Sequence, residues 1–264
     1  MIALAQASVV FNAGDPMERR ALDALTLSVA PAEFVTVIGS NGAGKSTLLN
    51  VLSGDLRLSS GKVSFDEVDV TAWPVHRRAA FVGRVFQDPL IGTCGPLTIE
   101  ENLALAARRG RTRGLRLASG AALRARLRER LAALRLGLEN RLDDRMDRLS
   151  GGQRQTVSLV MAAVMDMKLL LLDEHTAALD PRNAAFVMAL TDRIVAESQL
   201  TTLMVTHSMR QALDHGSRTI MMHDGRIVLD LTGDDRRRMS VEDLLHMFSK
   251  VRGETLDDDA LLLN

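Results

Sequence analysis

The segment GSNGAGKST, at residues 39–47, constrains the fold of this chain more than any other stretch. It matches the pattern G-x-x-x-x-G-K-[ST], whose glycines let the backbone turn tightly enough for several N–H groups to point at phosphate oxygens. The run FVTVIG precedes it and TLLNVLSG follows it, so we expect a buried strand before the loop and a helix after it. The sequence therefore predicts an α/β fold with a phosphate-binding loop at a helix start. Its members are Gly39, Ser40, Asn41, Gly42, Ala43, Gly44, Lys45, Ser46 and Thr47.

Three side chains of this phosphate loop have predicted roles. We expect Lys45 to reach the β- and γ-phosphates of a nucleotide, and Ser46 to hold Mg²⁺ through its hydroxyl, with Thr47 in support. The alternative is a chance glycine-rich turn. It is disfavoured because the motif lies where its mechanism requires it, between a strand and a helix. A nucleotide with β- and γ-phosphates and Mg²⁺ are therefore the predicted cofactors.

A second apolar run ends in two acidic residues. Residues 169–173 read LLLLD, which is typical of a strand buried on both faces, and Glu174 follows. We expect Asp173 to meet Mg²⁺ through water, and Glu174 to polarise the water that attacks the γ-phosphate. The alternative is a pair of solvated acids at a strand end. The phosphate loop in the same chain favours the catalytic interpretation.

Two neutral polar residues also follow predicted strands. Gln87 ends the run AAFVGRVFQ, and His207 follows TTLMVT. Strand ends of open α/β sheets collect at the ligand crevice. We therefore expect His207 to hydrogen-bond the γ-phosphate and Gln87 to reach the metal or the water. Taken alone, each is more often an ordinary surface or packed residue, and it is their shared position that favours the functional interpretation.

Residues 98–165 have a different, helical pattern. TIEENLALAARR opens with a Thr-x-x-Glu capping box at Thr98 and Glu101, and helices are also predicted over 119–138 and 148–165. Residues 108–135 hold many arginines and a single acid. That segment is either a solvated face with acids nearby in space, or a face turned toward anionic lipid or a membrane protein.

The rest of the chain alternates between strand and helix patterns. Strands are predicted over 2–11, 24–30 and 63–70, a hairpin over 218–230 around Asp224-Gly225, and helices over 183–197, 209–213 and 241–248.

Composition narrows the function classes. Of the 264 residues, 33 are Lys or Arg and 33 are Asp or Glu, so the formal net charge is zero, which argues against nucleic acid as a partner. Cys94 is the one cysteine, which excludes an intrachain disulfide and is most simply an inert loop residue. Neither a signal-peptide pattern nor an apolar run of about 18 residues is present, so we expect any link to a membrane to pass through a partner.

The segment LSGGQ at 149–153 raises the question of why one chain needs a second anion-binding helix start. Together with the phosphate loop, Gln87, LLLLDE, ALD at 178–180 and His207, it makes residues 2–250 resemble the nucleotide-binding subunits of ATP-binding cassette (ABC) transporters. The resemblance implies a P-loop NTPase fold with a RecA-like core, an antiparallel β subdomain and an inserted helical subdomain. The expected division is one ABC ATPase domain over 1–250, with core and β subdomain at 1–88 and 166–250 and helical subdomain at about 89–165. An acidic tail over 251–264 would follow.

The resemblance also implies that two copies pack head to tail around two ATP molecules. The signature segment of one copy, with Ser150, Gly151, Gly152 and Gln153, then caps the γ-phosphate held by the phosphate loop of the other. Ser150 supplies a hydroxyl, and the two glycines let backbone N–H groups approach. Phe11 matches the aromatic residue that stacks on adenine, although a core phenylalanine is the alternative. Asp180 matches an aspartate that links the two ATP sites.

The partners implied by the resemblance are a homodimer or pseudo-dimer, membrane permease subunits and, indirectly, a solute-binding protein. The expected location is peripheral, on the cytoplasmic face of the inner membrane, with the loop over 88–97 contacting the permease. DEHTAALDP, in which His175 replaces a frequent proline, resembles a branch of bacterial importer ATPases, some of the amino-acid type. Alternatives are the ATPase of an exporter or lipid system, or a soluble ABC protein that acts on DNA or ribosomes.

Overall fold

The computed structural model describes residues 1–110, 120–163 and 167–252, with side chains described through residue 250. Within these ranges the chain alternates strands and helices in a mixed α/β order. The strands are β1 (Ile2–Phe11), β2 (Arg19–Val29), β3 (Phe34–Gly39), β4 (Ser60–Phe65), β5 (Val68–Asp69), β6 (Val82–Val85), β7 (Leu169–Asp173), β8 (Thr201–Val205), β9 (Arg218–His223) and β10 (Arg226–Thr232). The helices are α1 (Lys45–Ser53), α2 (Val75–Arg78), α3 (Ile99–Ala107), α4 (Ala121–Ala133), α5 (Gly151–Ala163), α6 (Pro181–Ser198), α7 (Met209–Asp214), α8 (Gly233–Arg238) and α9 (Val241–Arg252).

A six-stranded sheet carries the motifs. Its strand order is β10-β9-β3-β8-β7-β6, in which β10 alone pairs antiparallel with its neighbour. The four leucines of β7 are fully buried, as expected for a parallel strand covered on both faces. Because parallel strands end at the same edge, the phosphate loop after β3, His207 after β8, Glu174 after β7 and Gln87 after β6 all start from one edge of this sheet.

The second sheet has the order β2-β1-β4-β5, and it corrects two strand predictions. The predicted strand at 24–30 begins earlier, at Arg19, because residues 19–22 pair with the end of β1. The single strand predicted over 63–70 is wrong: it is a hairpin whose turn residues Asp66 and Glu67 have φ of 47° and 69°. The Asp66 carboxylate lies 2.5 Å from the N-terminal amine, which fixes this turn.

Helices α3, α4 and α5 share a separate apolar core. The predicted capping box is confirmed, because Glu101 N donates to Thr98 Oγ1 and Thr98 N donates to the Glu101 carboxylate. Helix α4 is shorter than predicted and ends before Gly137, whose φ is 72°. Residues 164 and 165, at the end of the third predicted helix, lie outside the described ranges. The shared core includes Ile99, Leu103, Leu127, Leu131, Met146, Val157 and Met161.

The arginine-rich segment is described except at 111–119. Arg124 on α4 pairs with Glu100 and, at 2.7 Å, with Asp143. At this position the arginine therefore has acids nearby in space, as in the first of the two interpretations. Across the described ranges we find no helix that is both long and apolar enough to cross a bilayer.

Candidate functional site

The phosphate loop joins β3 to α1 and depends on glycine. Gly39, Gly42 and Gly44 have φ of 150°, 83° and 101°, a range that side chains other than hydrogen rarely allow. At Gly44 an added Cβ would also lie 2.4 Å from the Ala21 carbonyl oxygen. No side chain caps the start of α1, so its first N–H groups are left for an anion. The loop thus has the backbone shape that phosphate binding needs.

Lys45 lies beneath this loop and is only 5 % exposed. Its Nζ donates to the carbonyl oxygens of Gly39, at 2.6 Å, and Ser40, at 3.0 Å. Burial lowers the pKa of Lys45, and the carboxylates of Glu174 and Asp173 partly oppose that shift. The ammonium group is therefore held against the loop backbone, within electrostatic reach of both acids at the end of β7.

A cavity of about 190 Å³ opens above the loop. It brings together the phosphate loop, Glu174, His207 and Phe11. Its lining residues are Phe11, Arg19, Ala21, Asn41, Gly42, Gly44, Lys45, Ser46, Thr47, Glu174 and His207.

Arg19 is a lining residue that sequence reasoning missed. Its Nη2 donates to the Gly42 carbonyl oxygen at 3.3 Å, so it adds a second cation beside Lys45. It reaches the cavity because it lies opposite Phe11 in the β1–β2 pair. That register could not be read from the sequence, since residues 19–22 carry no strand pattern of their own. Phe11 itself is 40 % exposed, which is unlike a core side chain.

Glu174 and His207 form the polar end of the cavity. The distance from His207 Nε2 to Glu174 Oε1 is 2.5 Å, and Glu174 is 13 % exposed at its side chain. Glu174 has φ of 46°, and its N–H donates to the Val205 carbonyl oxygen at 3.0 Å. A non-glycine residue in this left-handed region carries backbone strain, which persists here because β8 holds the segment. The Glu174 side chain lines the cavity from this position.

Asp173 and Gln87 do not line the cavity. Arg84 on β6 donates from Nη2 to Asp173 Oδ2 at 2.8 Å and from Nη1 to Asn50 Oδ1 at 2.7 Å. One carboxylate oxygen of Asp173 is therefore committed to an arginine. Gln87 is exposed just beyond β6. The metal-binding roles of both residues remain predictions.

The signature segment forms a capped helix start elsewhere on the molecule. Gln153 N donates to Ser150 Oγ at 3.3 Å, and Ser150 N donates to Gln153 Oε1 at 3.1 Å, so the two residues cap α5 reciprocally. Gly151 is exposed, with nothing closer than 4.0 Å to an added Cβ. None of residues 149–153, all within the described ranges, lines the cavity above the phosphate loop. Within one copy of the chain, the start of α5 therefore does not share the cavity above the phosphate loop.

Asn183 connects the signature segment to the segment that carries Asp180. Asp180 caps α6 by accepting from Asn183 N at 3.2 Å and Nδ2 at 2.5 Å, and these bonds lower its pKa. A Cβ on Gly152 would lie 2.8 Å from Asn183 Cγ, so a larger residue here would have to displace the Asn183 side chain. Asp180 is exposed beside the signature helix rather than in the cavity.

His175 is a buried residue whose role the sequence did not reveal. Its Nε2 lies 3.0 Å from Thr191 Oγ1, and that hydroxyl donates to the Val187 carbonyl oxygen, so Nε2 must be the donor. Burial, helped by the charge of His215, lowers the pKa of His175 to about 4, with Asp192 opposing. The imidazole is therefore a neutral core group behind the catalytic edge.

Comparisons with known proteins agree with this geometry. Residues 22–177 match the family model described as ABC transporter. The chain is 45 % identical over 227 residues to a tyrosine transport ATP-binding protein of Clostridioides difficile (strain R20291), covering 85 % of this chain and 89 % of that one. It is 36 % identical over 204 residues to a thiamine import ATP-binding protein of Shigella sonnei (strain Ss046), covering 76 % and 82 %.

Solved structures share the fold. A dimeric post-hydrolysis state of an ATP-binding cassette bound to ADP and Pi superposes with a TM-score of 0.74 at 28 % identity, covering 88 % of this chain and 98 % of that one. The structure of cbiO1 from Clostridium perfringens, part of the ABC transporter complex cbiONQ, gives a TM-score of 0.75 at 25 % identity, covering 94 % of each chain. The mixed α/β architecture with two sheets is thus that of known ATP-binding cassettes.

Proposed function

The chain belongs to the ABC transporter family, and we propose that it is the ATP-hydrolysing subunit that drives import of a small solute through a separate membrane permease. As a member of this family it is an ATPase. The observation that carries the proposal is the cavity, which joins a glycine phosphate loop and Lys45 to Glu174 and His207.

Within one copy, each group has a role that its position supports. The loop N–H groups and Lys45 bind the β- and γ-phosphates, Arg19 adds positive charge, and Phe11 stacks on adenine. Glu174 accepts a proton from the attacking water, while His207 orients Glu174 and contacts the γ-phosphate.

Ser46 in the phosphate loop, and Gln87 and Asp173 at the same edge of the sheet, offer the hard oxygen ligands that Mg²⁺ prefers. Ser46 would hold it through its hydroxyl, Asp173 through water and Gln87 through its amide oxygen. When bound, Mg²⁺ offsets negative charge on the phosphate oxygens. Arg84 Nη2 donates to Asp173 Oδ2 at 2.8 Å, and this bond leaves the second carboxylate oxygen available to the water that would contact Mg²⁺.

The separation of the signature segment from the cavity supports a composite site. Ser150, Gly151, Gly152 and Gln153 contribute to the ATP site of a second copy, and Asp180 lies beside them to link the two sites. The exposed N-terminus of α5 can then meet a γ-phosphate that its own chain does not hold. A solved cassette related to this chain at 28 % identity is dimeric.

Mixing two inactive variants tests the composite site. Lys45→Ala should disable the phosphate loop, and Ser150→Asp should repel phosphate while still capping α5. A mixed pair contains one fully wild-type site, so turnover should reappear on mixing. If mixed pairs demonstrably form but hydrolyse no faster than either variant alone, the composite site is rejected.

The transport role rests on relatives and on one exposed loop. The relatives named above are a tyrosine transport and a thiamine import ATP-binding protein, and we favour an amino acid as the cargo class because the first is the more similar.

Leu90 and Ile91 are 59 % and 66 % exposed in the loop over 88–97, where they present an apolar surface to a permease at the cytoplasmic face of the membrane. A solute-binding protein would act on the far side of that permease.

Co-purification from detergent-solubilised membranes tests the permease contact. The wild-type chain should retain a multi-spanning membrane protein, and Leu90→Glu with Ile91→Glu should lose it. Met17→Glu is the matched control, because Met17 is 76 % exposed in a different loop. Retention of ribosomes in place of a membrane protein would reject the transport role.

A further inference from the structure

Gln155 on α5 is a wholly buried amide with an unusual pair of partners. Its Nε2 donates to the carbonyl oxygen of Phe86 at 2.9 Å and to that of His175 at 2.6 Å. The side chain is 0 % exposed, so water does not compete for these two bonds.

The two carbonyl groups flank the proposed catalytic side chains. Phe86 immediately precedes Gln87, and His175 immediately follows Glu174. They leave neighbouring parallel strands, since Val85 on β6 pairs with Leu172 on β7. A single amide therefore fixes the spacing between the loop that carries Gln87 and the loop that carries Glu174.

The helix that supplies this amide also carries the signature segment. Gln155 lies two residues after Gln153, within the first turns of α5. Thr156 Oγ1 donates to the Gly152 carbonyl oxygen at 2.8 Å, and Arg154 Nη2 donates to that of Met146 at 2.8 Å. These bonds tie the residues around Gln155 to the signature segment and to the turn before it.

The other end of the amide has no partner among the described residues: Gln155 Oε1 is buried without a hydrogen bond. Such an orphan acceptor costs about 1–3 kcal/mol. A methionine of similar length would fill the space without that cost but could not donate to the two carbonyl groups. The bonds from Nε2 are what the amide provides here.

We propose that Gln155 is a positioning residue that couples the two ATP sites of the dimer. When the signature segment engages the nucleotide of the partner copy, α5 shifts, and Gln155 moves the Gln87 and Glu174 loops of its own site into register. The inference rests on the proposed function, because it requires the composite dimer.

Gln155→Met tests this coupling, with Thr156→Val as the matched control. Thr156 is also buried in α5, at 5 % exposure, but its hydroxyl donates to a carbonyl oxygen of the same helix. Two coupled sites allow a Hill coefficient up to two for ATP-dependent turnover. Gln155→Met should bring that coefficient to about one and lower kcat up to about 100-fold, as misplacement of catalytic groups does. The ATP dissociation constant should stay within about threefold, because the phosphate loop and Phe11 are anchored independently.

Hydrogen exchange keeps the test decisive if turnover is low. In the wild-type chain, ATP with Mg²⁺ should protect backbone amides of residues 84–90 and 174–177 together with those of 150–156. In Gln155→Met, protection of 150–156 should persist while that of the other two segments is lost. Unchanged Hill coefficient and protection in Gln155→Met, an equal loss in Thr156→Val, or a wild-type Hill coefficient of one overturns the proposal. Failure of the mixed-variant experiment would instead reject the composite dimer itself.

Discussion

The Nε2 atom of His207 lies 2.5 Å from Oε1 of Glu174, although the two residues follow different strands, β8 and β7. The contact restricts the Glu174 side chain, which already starts from a strained backbone with φ of 46°. Both side chains line the cavity that holds the phosphate loop. Under the proposed function, the attacking water would lie beside this pair.

Replacing Glu174 with glutamine should abolish most hydrolysis and spare ATP binding. The amide keeps the size and hydrogen-bonding reach of the side chain but cannot accept the proton, a loss worth about 10²–10⁴-fold in turnover. Steady-state ATPase assays and nucleotide titration measure the two effects.

His207→Ala should lower kcat when introduced alone, yet add little to Glu174→Gln, because both act on one water. Additive losses would contradict a shared role.

Gly44→Ala should destabilise the chain and prevent nucleotide binding. Alanine at φ of 101° is strained, and its Cβ would also meet the Ala21 carbonyl oxygen at 2.4 Å. Gly14→Ala is the matched control, since Gly14 has φ of 80° but nothing within 4 Å of an added Cβ. In urea unfolding we expect a loss of about 1–2 kcal/mol for the control, from strain alone. Gly44→Ala should lose a further 1–3 kcal/mol or so from the close contact. Equal losses would show that close packing at Gly44 is unimportant.

Phe11→Ala should weaken ATP binding by roughly 5- to 100-fold, which corresponds to about 1–3 kcal/mol for stacking on a base. Stability should change little, because Phe11 is already 40 % exposed. Binding of inorganic tripolyphosphate, which has no base to stack, should be unaffected. Phe186→Ala serves as a control, since Phe186 is 48 % exposed on α6 and does not line the cavity. Loss of tripolyphosphate binding in Phe11→Ala would argue against stacking.

His175 should make the chain less stable in mild acid. Its pKa is about 4 in the folded chain, against a reference value of 6.5. Between those values the unfolded chain binds a proton that the folded chain does not, so stability is full above pH 6.5 and falls as the pH drops toward 4. Between pH 7.5 and 5 this amounts to about 2 kcal/mol. His175→Gln keeps an N–H donor without titrating, and urea unfolding at the two pH values should show a correspondingly smaller difference. His76→Gln, at an exposed histidine, should leave the difference unchanged.

Much of the fold was predictable because its signals are local. The four leucines of β7 indicated a buried strand, and the glycines at 39, 42 and 44 indicated a loop of unusual backbone shape. Thr98 and Glu101, which lie three residues apart, indicated the start of a helix. The prediction of a single strand over 63–70 was wrong for a local reason as well. Asp66 and Glu67 adopt positive φ in the structure, but their sequence is a much weaker turn signal than Asn-Gly.

The sequence by itself determined the phosphate loop, the signature helix start and the strands that precede Glu174 and His207, because turn chemistry, capping and apolar periodicity act over a few residues. Only the tertiary structure decided that Arg19 faces Phe11, that Arg84 holds Asp173 from 89 positions away, and that Gln155 bridges two strand ends. Those contacts depend on strand register and helix placement. Both are fixed by burial of whole faces, which no short stretch of sequence encodes.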